Sequence, residues 1–143
     1  MTVTLSANYK EVFSAETVEK IEELMEDNYE LSDMLEFIDE RNENWFVKYY
    51  EEYVRCGEAI GYDAVDALID EMGSMDCVEN CAERYRGQYS STAEFAEEFT
   101  YEVYGDVPSF VVVDWDATYD QNLYYDFTAC EAGYRTVYIF SDN

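Results

Sequence analysis

Apolar residues recur every three or four positions over most of the chain, and that period predicts helices. Val18, Ile21, Leu24 and Met25 form a first stripe, with Glu16, Glu19, Glu22, Glu23 and Glu26 outside it. Ser14 precedes the stripe as a candidate N-cap, the helix runs to about Asn28, and Glu16–Lys20 is its i, i+4 ion pair. Met34, Leu35, Phe37 and Ile38 predict a second helix, from a Ser32 cap to about Arg41. Trp45, Phe46, Tyr49, Tyr50 and Tyr53 give a third, opened by Asn44 and ended near Cys56, with Gly57 and Gly61 bracketing its end. Ala64, Val65, Leu68 and Ile69 predict a fourth over Tyr62–Met72, with Gly73 just past its C-terminus. A short fifth helix is expected over Ser74–Tyr85, stopped by Gly87. Residues Met1–Phe13 read as a lead-in, frayed or briefly extended.

Ser91-Thr92-Ala93-Glu94 fits a capping box ahead of the apolar positions Phe95, Phe99 and Val103. Gly105 stops that helix, and Pro108 forbids its continuation. Phe110–Val113 has the composition of a strand, interrupted by Asp114 and Asp116; Asp116 is the expected cap of a helix to about Tyr124. Tyr125–Cys130 and Tyr134–Phe140 predict a hairpin about Glu131-Ala132-Gly133, its second strand apolar on both faces. The expected fold is mostly α, of the α+β class. Five to seven short helices form two small lobes, 1–60 and 61–143, with a C-terminal β-hairpin and an elongated acidic surface.

Charge changes what these elements are for. The 143 residues carry 34 acidic and 8 basic side chains, a formal net charge of -26. A disordered acidic tail is excluded, because hydrophobic residues make up 48% of the chain and aromatic ones 17%. Direct binding of nucleic acid or of an anionic membrane is excluded by sign. The expected partner is a protein with a basic cleft. No apolar run approaches the ~20 residues of a membrane helix. Met1 leads into a polar stretch without a signal-peptide core, so the expectation is a cytoplasmic protein with free thiols. Cys77 and Cys81, four apart on the expected fifth helix, lack the His or second close pair that a zinc site would use. No metal or cofactor is expected.

The acids concentrate in Glu94–Glu131, which holds Glu94, Glu97, Glu98, Glu102, Asp106, Asp114, Asp116, Asp120, Asp126 and Glu131. No Lys, Arg or His interrupts them, whereas an ordinary solvated face mixes both signs. Glu94, Glu98 and Glu102 recur at i, i+4, i+8, a line of carboxylates spaced roughly 6 Å apart. Duplex DNA carries one charge per roughly 1.7 Å of axis, so 26 charges match about 44 Å, or about 13 base pairs. The array therefore reads as a protein copy of a phosphate backbone, with the first nine of those acids as candidate partner-binding groups.

Other chemistry is poorly served. Asp114, Asp116 and Asp120 lack the EF-hand spacing and its terminal Glu. Nothing resembles a nucleophile motif, a phosphate-cradling Gly-rich loop or a His base, so no enzymatic activity is expected. The aromatics outnumber what one small core needs, which puts some at an interface. Phe110, Val112 and Trp115 are the candidate contacts of a symmetric homodimer.

The run Glu83-Arg84-Tyr85-Arg86-Gly87-Gln88-Tyr89-Ser90-Ser91, continued by Phe95-Ala96-Glu97-Glu98, resembles the ArdA antirestriction family's pattern E-R-Y-x-G-x-Y-x-S-x-x-x-F-A-E-E. Val107-Pro108 and Val113-Asp114-Trp115-Asp116-Ala117 are similar to its I-P step and I-D-Y-E-A segment. Gly61-Tyr62-Asp63-Ala64-Val65-Asp66-Ala67-Leu68-Ile69 resembles G-x-E-A-V-x-A-F-I. The resemblance spans roughly Trp45–Phe140. It implies an acidic DNA mimic from a phage or mobile element, which occupies the DNA groove of type I restriction–modification enzymes as a homodimer. Two departures bear on the target. Met1–Asn44 does not match the family's N-terminal domain, and Thr118–Leu123 lacks the Arg of its F-A-R-D-L segment. A CRISPR effector is the alternative target, and an acidic module for a basic protein, without duplex imitation, is the alternative class.

Overall fold

Described here is a computed structural model that covers residues 9–142, so the lead-in reading of Met1–Asn8 lies outside the described residues. The protein is mostly helical with one small antiparallel sheet, the α+β class expected. It divides into two compact units, Met1–Val54 and Arg55–Asn143.

In the first unit, residues 9–12 are helical rather than extended, and Phe13 N–H donates to Tyr9 C=O at 3.1 Å. Helix α1 spans Ala15–Glu26, capped by the Ser14 hydroxyl, which accepts from Thr17 N–H. Its buried stripe is Thr17, Ile21 and Leu24, while Met25 is turned out to solvent. Thr17 is satisfied where it is buried, because its hydroxyl donates to Glu43 Oε1 at 2.9 Å. The same carboxylate oxygen accepts from Ser14 N–H at 2.9 Å, tying the start of α1 to the start of α3. Helix α2 covers Leu31–Glu40, and all four of its predicted inward residues are buried. Its cap is Glu30 without a side-chain bond; Ser32 already lies inside the helix and caps nothing.

Helix α3 runs Glu43–Ile60, four residues beyond the predicted end. It is opened by Asn42, whose Oδ1 accepts from Trp45 N–H at 2.7 Å, and not by Asn44. Gly57 does not end it. The Tyr62 ring lies so close that a Cβ at position 57 would sit 2.2 Å from it, so this glycine answers a packing need. Phe37, Phe46 and Tyr50 form the aromatic centre of the first unit, with ring centroids 5.0–6.3 Å apart. The Arg41 guanidinium lies 5.6 Å from the Phe37 ring centre and 5.5 Å from that of Tyr53. Lys20 pairs with Glu51 of α3 instead of Glu16, and this bond holds its ammonium above the ordinary lysine range.

The second unit contains helix α4, Tyr62–Met72, with Ala64, Val65, Ala67, Leu68 and Ile69 buried. The expected helix over Ser74–Tyr85 is broken. A 3₁₀ turn covers Met75–Val78, Asn80 takes φ 63°, and only Cys81–Arg84 is α-helical (α5). Asn tolerates the left-handed conformation that stops a helix. Strand β1, Tyr85–Tyr89, follows where no strand was expected. Next come α6, Thr92–Tyr104, and α7, Trp115–Gln121. A 3₁₀ turn at Leu123–Tyr125 leads to β2, Phe127–Glu131, and β3, Val137–Ser141.

β2 and β3 are the predicted antiparallel hairpin, and β1 pairs antiparallel along the free side of β3, in the order β1-β3-β2. The β1 register shifts between Tyr85 and Gly87, leaving Arg86 as the extra residue of a bulge. Gly87 has φ 138°, a value a side chain would resist. Arg84 Nε donates to Ser141 C=O at 2.6 Å and ties α5 to the end of β3. Val137 and Ile139 pack with Phe95, Ala96, Tyr119 and Phe127 into the core beneath α6 and α7.

Ile139 is fully buried in that core. Ile139→Ala should therefore cost about 2–5 kcal/mol, read as a lower midpoint in denaturant unfolding. All four thiols are buried and free. Burial pushes Cys77 up to about 11 and Cys130 up to about 12, and raises Cys81 further. A thiol reagent at pH 8 should therefore react slowly with the native protein and rapidly with four equivalents of thiol once it is denatured.

Candidate functional site

Helix α6 is anchored from both sides of its first turn. The Ser91 hydroxyl accepts from Glu94 N–H at 3.1 Å, the predicted half of the capping box. The reciprocal half is shifted by one residue: Glu94 accepts from Ser90 N–H at 3.1 Å and from the Ser90 hydroxyl at 2.9 Å. These bonds to Ser90 hold the Glu94 carboxyl below the ordinary glutamate range, and the Arg135 charge adds a smaller pull. Phe95 and Ala96 are the buried side of the helix. Phe95 and Phe99 each set an edge against Phe127, at 4.9 and 5.4 Å. Val103, expected among the inward positions, is exposed, because the core beneath α6 ends before its last turn.

The outer side of α6 carries the acids. Glu94, Glu98 and Glu102 are exposed and Glu97 is half-buried. Together with Tyr101 they line a shallow trough of about 570 Å³. Tyr89, reaching from β1, donates to Glu98 Oε1 at 3.5 Å. Its phenol is pushed up to about 12, first by burial and then by the negative field of Glu98, Glu102 and Glu94. One phenol thus senses the three carboxylates that the helical spacing aligns.

Helix α7 packs on α6, and Tyr101 meets Trp115 edge-on at 5.9 Å. Its cap is Asp114, whose Oδ1 accepts from Ala117 N–H at 3.0 Å; Asp116, the expected cap, is the second residue of the helix. The helix ends at Gln121, short of the predicted Tyr124. Asp116 and Asp120 are exposed on α7, Asp106 is exposed in the loop after α6, and Asp126 is exposed at the end of the second 3₁₀ turn. Of the nine candidate acids, the structure brings Glu94, Glu97, Glu98 and Glu102 into one trough and sets the other five on neighbouring segments. Among the described residues no carboxylate from Glu94 to Glu131 forms an ion pair.

The segment Phe110–Val113 is no strand. It is a turn, closed by Val111 N–H to Pro108 C=O at 2.9 Å, followed by irregular chain. Phe110 and Val112 are 86% and 97% exposed, whereas Trp115 is half-buried against the α6–α7 core. The three candidate interface residues therefore do not have one environment.

Sequence reasoning passed over a second acidic feature. Asp63, Asp66 and Asp70 of α4 line a groove of about 360 Å³ with Ala67, Glu131, Ala132 and Tyr138. Their i, i+3, i+7 spacing was visible, but on its own it reads as the solvated side of a helix. Among the described residues no group of three or more His, Cys, Asp or Glu side chains is arranged to hold a metal ion, and no helix is long and apolar enough to cross a membrane.

The bonds from Ser90 set a sign. With its folded-state pKa lowered, Glu94 contributes stability above the ordinary glutamate value and loses it as pH falls through the folded value. A carboxyl-detected NMR titration should place its midpoint below the ordinary glutamate value, and Ser90→Ala should raise it. No family model, no curated protein and no solved structure matches this chain.

Proposed function

We propose that this chain is an acidic DNA mimic that occupies the DNA-binding cleft of a host defence enzyme. The family resemblance favours a type I restriction–modification complex as that enzyme. The observation that carries the reading is the exposed trough of Glu94, Glu97, Glu98 and Glu102 on a capped, core-anchored helix. Acids continue through α7 without a single cation between Gly87 and Tyr134. A fixed row of like charges relieved only weakly, by Arg135 near Glu94, is costly to keep, and the Lys and Arg of a DNA cleft would relieve it. Tyr101, exposed among these acids, supplies the amphipathic contact that interfaces favour.

The mechanism is competitive occupation. Opposite fields steer the two proteins together, and carboxylates replace phosphates on the basic side chains of the cleft. Each exposed ion pair contributes about 0–1 kcal/mol, so affinity accumulates over many contacts. No bond is made or broken, and the acids act as ligands for cations. Phe110 and Val112, standing free in solvent, are the residues we assign to self-association.

Inhibition of DNA cleavage by a type I enzyme should weaken about tenfold or more as salt rises from 50 to 200 mM. Excess duplex DNA should displace the protein from its target. Glu98→Gln alone should weaken inhibition by about fivefold or less, whereas changing Glu94, Glu97, Glu98 and Glu102 together to Gln should weaken it by well over tenfold. Loss of all inhibition from one such substitution, or binding indifferent to competing DNA, would replace mimicry with a discrete site.

A further inference from the structure

The groove beside α4 differs from the α6 trough in one respect that points to a ligand. Tyr138 of β3 is only 8% exposed, and it lines the groove with Asp63, Asp66, Asp70 and Glu131. Its hydroxyl makes no hydrogen bond to any described residue. Among the described residues, no fully buried side-chain polar atom lacks a partner. The phenol oxygen is therefore not sealed in the core, and Tyr138 is part of the groove wall. A nearly buried tyrosine whose hydroxyl has no hydrogen-bond partner among the described residues, on a groove lined by four acidic residues, is an unused recognition group.

The chemistry of the lining selects among cations. These carboxylates are not clustered to hold one metal ion. They are instead spread along a slot whose apolar lining is Ala67 and Ala132. Acceptors spaced along a slot suit several N–H donors on one planar head, and small apolar side chains suit a methylene stem. We infer that this groove binds an arginine side chain of a basic protein partner. The guanidinium donates to the carboxylates of α4 and to Glu131, and the Tyr138 oxygen accepts a further N–H. The site does not depend on imitation of DNA, and its test is direct binding rather than inhibition of cleavage.

The experiment is an NMR titration of the full chain with N-acetyl-arginine amide at 150 mM salt, with spermidine and Mg²⁺ run in parallel. Saturable shifts are expected at the amides of Asp70, Glu131, Ala132 and Tyr138. Tyr138→Phe keeps the ring and the fold and should weaken binding about three- to tenfold. Asp70→Asn with Glu131→Gln, both exposed positions, should weaken it about tenfold or more. Glu19→Gln with Glu26→Gln, on α1, should leave it unchanged. The inference is overturned by shifts that spread without saturation over α6 as well. It is equally overturned by Tyr138→Phe binding as tightly as the parent chain, or by tighter occupancy of these amides by spermidine or Mg²⁺ than by the arginine derivative.

Discussion

Strand β3 is buried along all five of its residues, and its two faces hold different parts of the second unit. Alternate side chains of a strand point to opposite sides. Val137 and Ile139 join the core under α6 and α7, while Tyr138 lines the groove beside α4. Both edges of β3 are hydrogen-bonded, to β1 and to β2. The trough and the groove are therefore positioned by one apolar strand that carries no charge of its own. Most of the residues that hold the charged surfaces in place are thus apolar, with Glu94 and Asp114 as charged exceptions.

That separation lets the chain tolerate its net charge. Buried polar residues of the described chain are confined to Thr17 and Ser141, and both are hydrogen-bonded. The acids stay at the surface, where water and counterions screen them. Glu43 and Glu94 serve the fold as well, the first by bridging Ser14 and Thr17 and the second by holding Ser90. Asp114 is likewise a helix cap as well as a charge. Part of the acidity is therefore structural.

The helices that bury a whole stripe were legible in the sequence. Helix α4 begins and ends where its pattern predicts, because Ala64, Val65, Leu68 and Ile69 leave no other register. Hairpin β2–β3 was legible from its apolar second strand. Strand β1 was not, since Tyr85-Arg86-Gly87-Gln88-Tyr89 is polar and glycine-broken and becomes a strand only by pairing with β3. The reverse error arose at Phe110–Val113. Its residues favour a strand, but strand preference reports packing against neighbours, and both edges of β3 are already taken. The α6 acids were visible as a periodic line. The groove was not, because Glu131 and Tyr138 reach Asp63 and Asp70 only through the fold.

Helix α6 is held unevenly along its length. Its first turns are capped by Ser91 and pressed on the core by Phe95 and Ala96, whereas Val103 and Tyr104 face solvent and Gly105 follows. Local opening is easiest where few apolar contacts resist it. The row of carboxylates is thus clamped at Glu94, held again where Tyr101 meets Trp115, and least supported from Glu102 onward. Any bending of such a row is confined to its far end, and its origin stays in register.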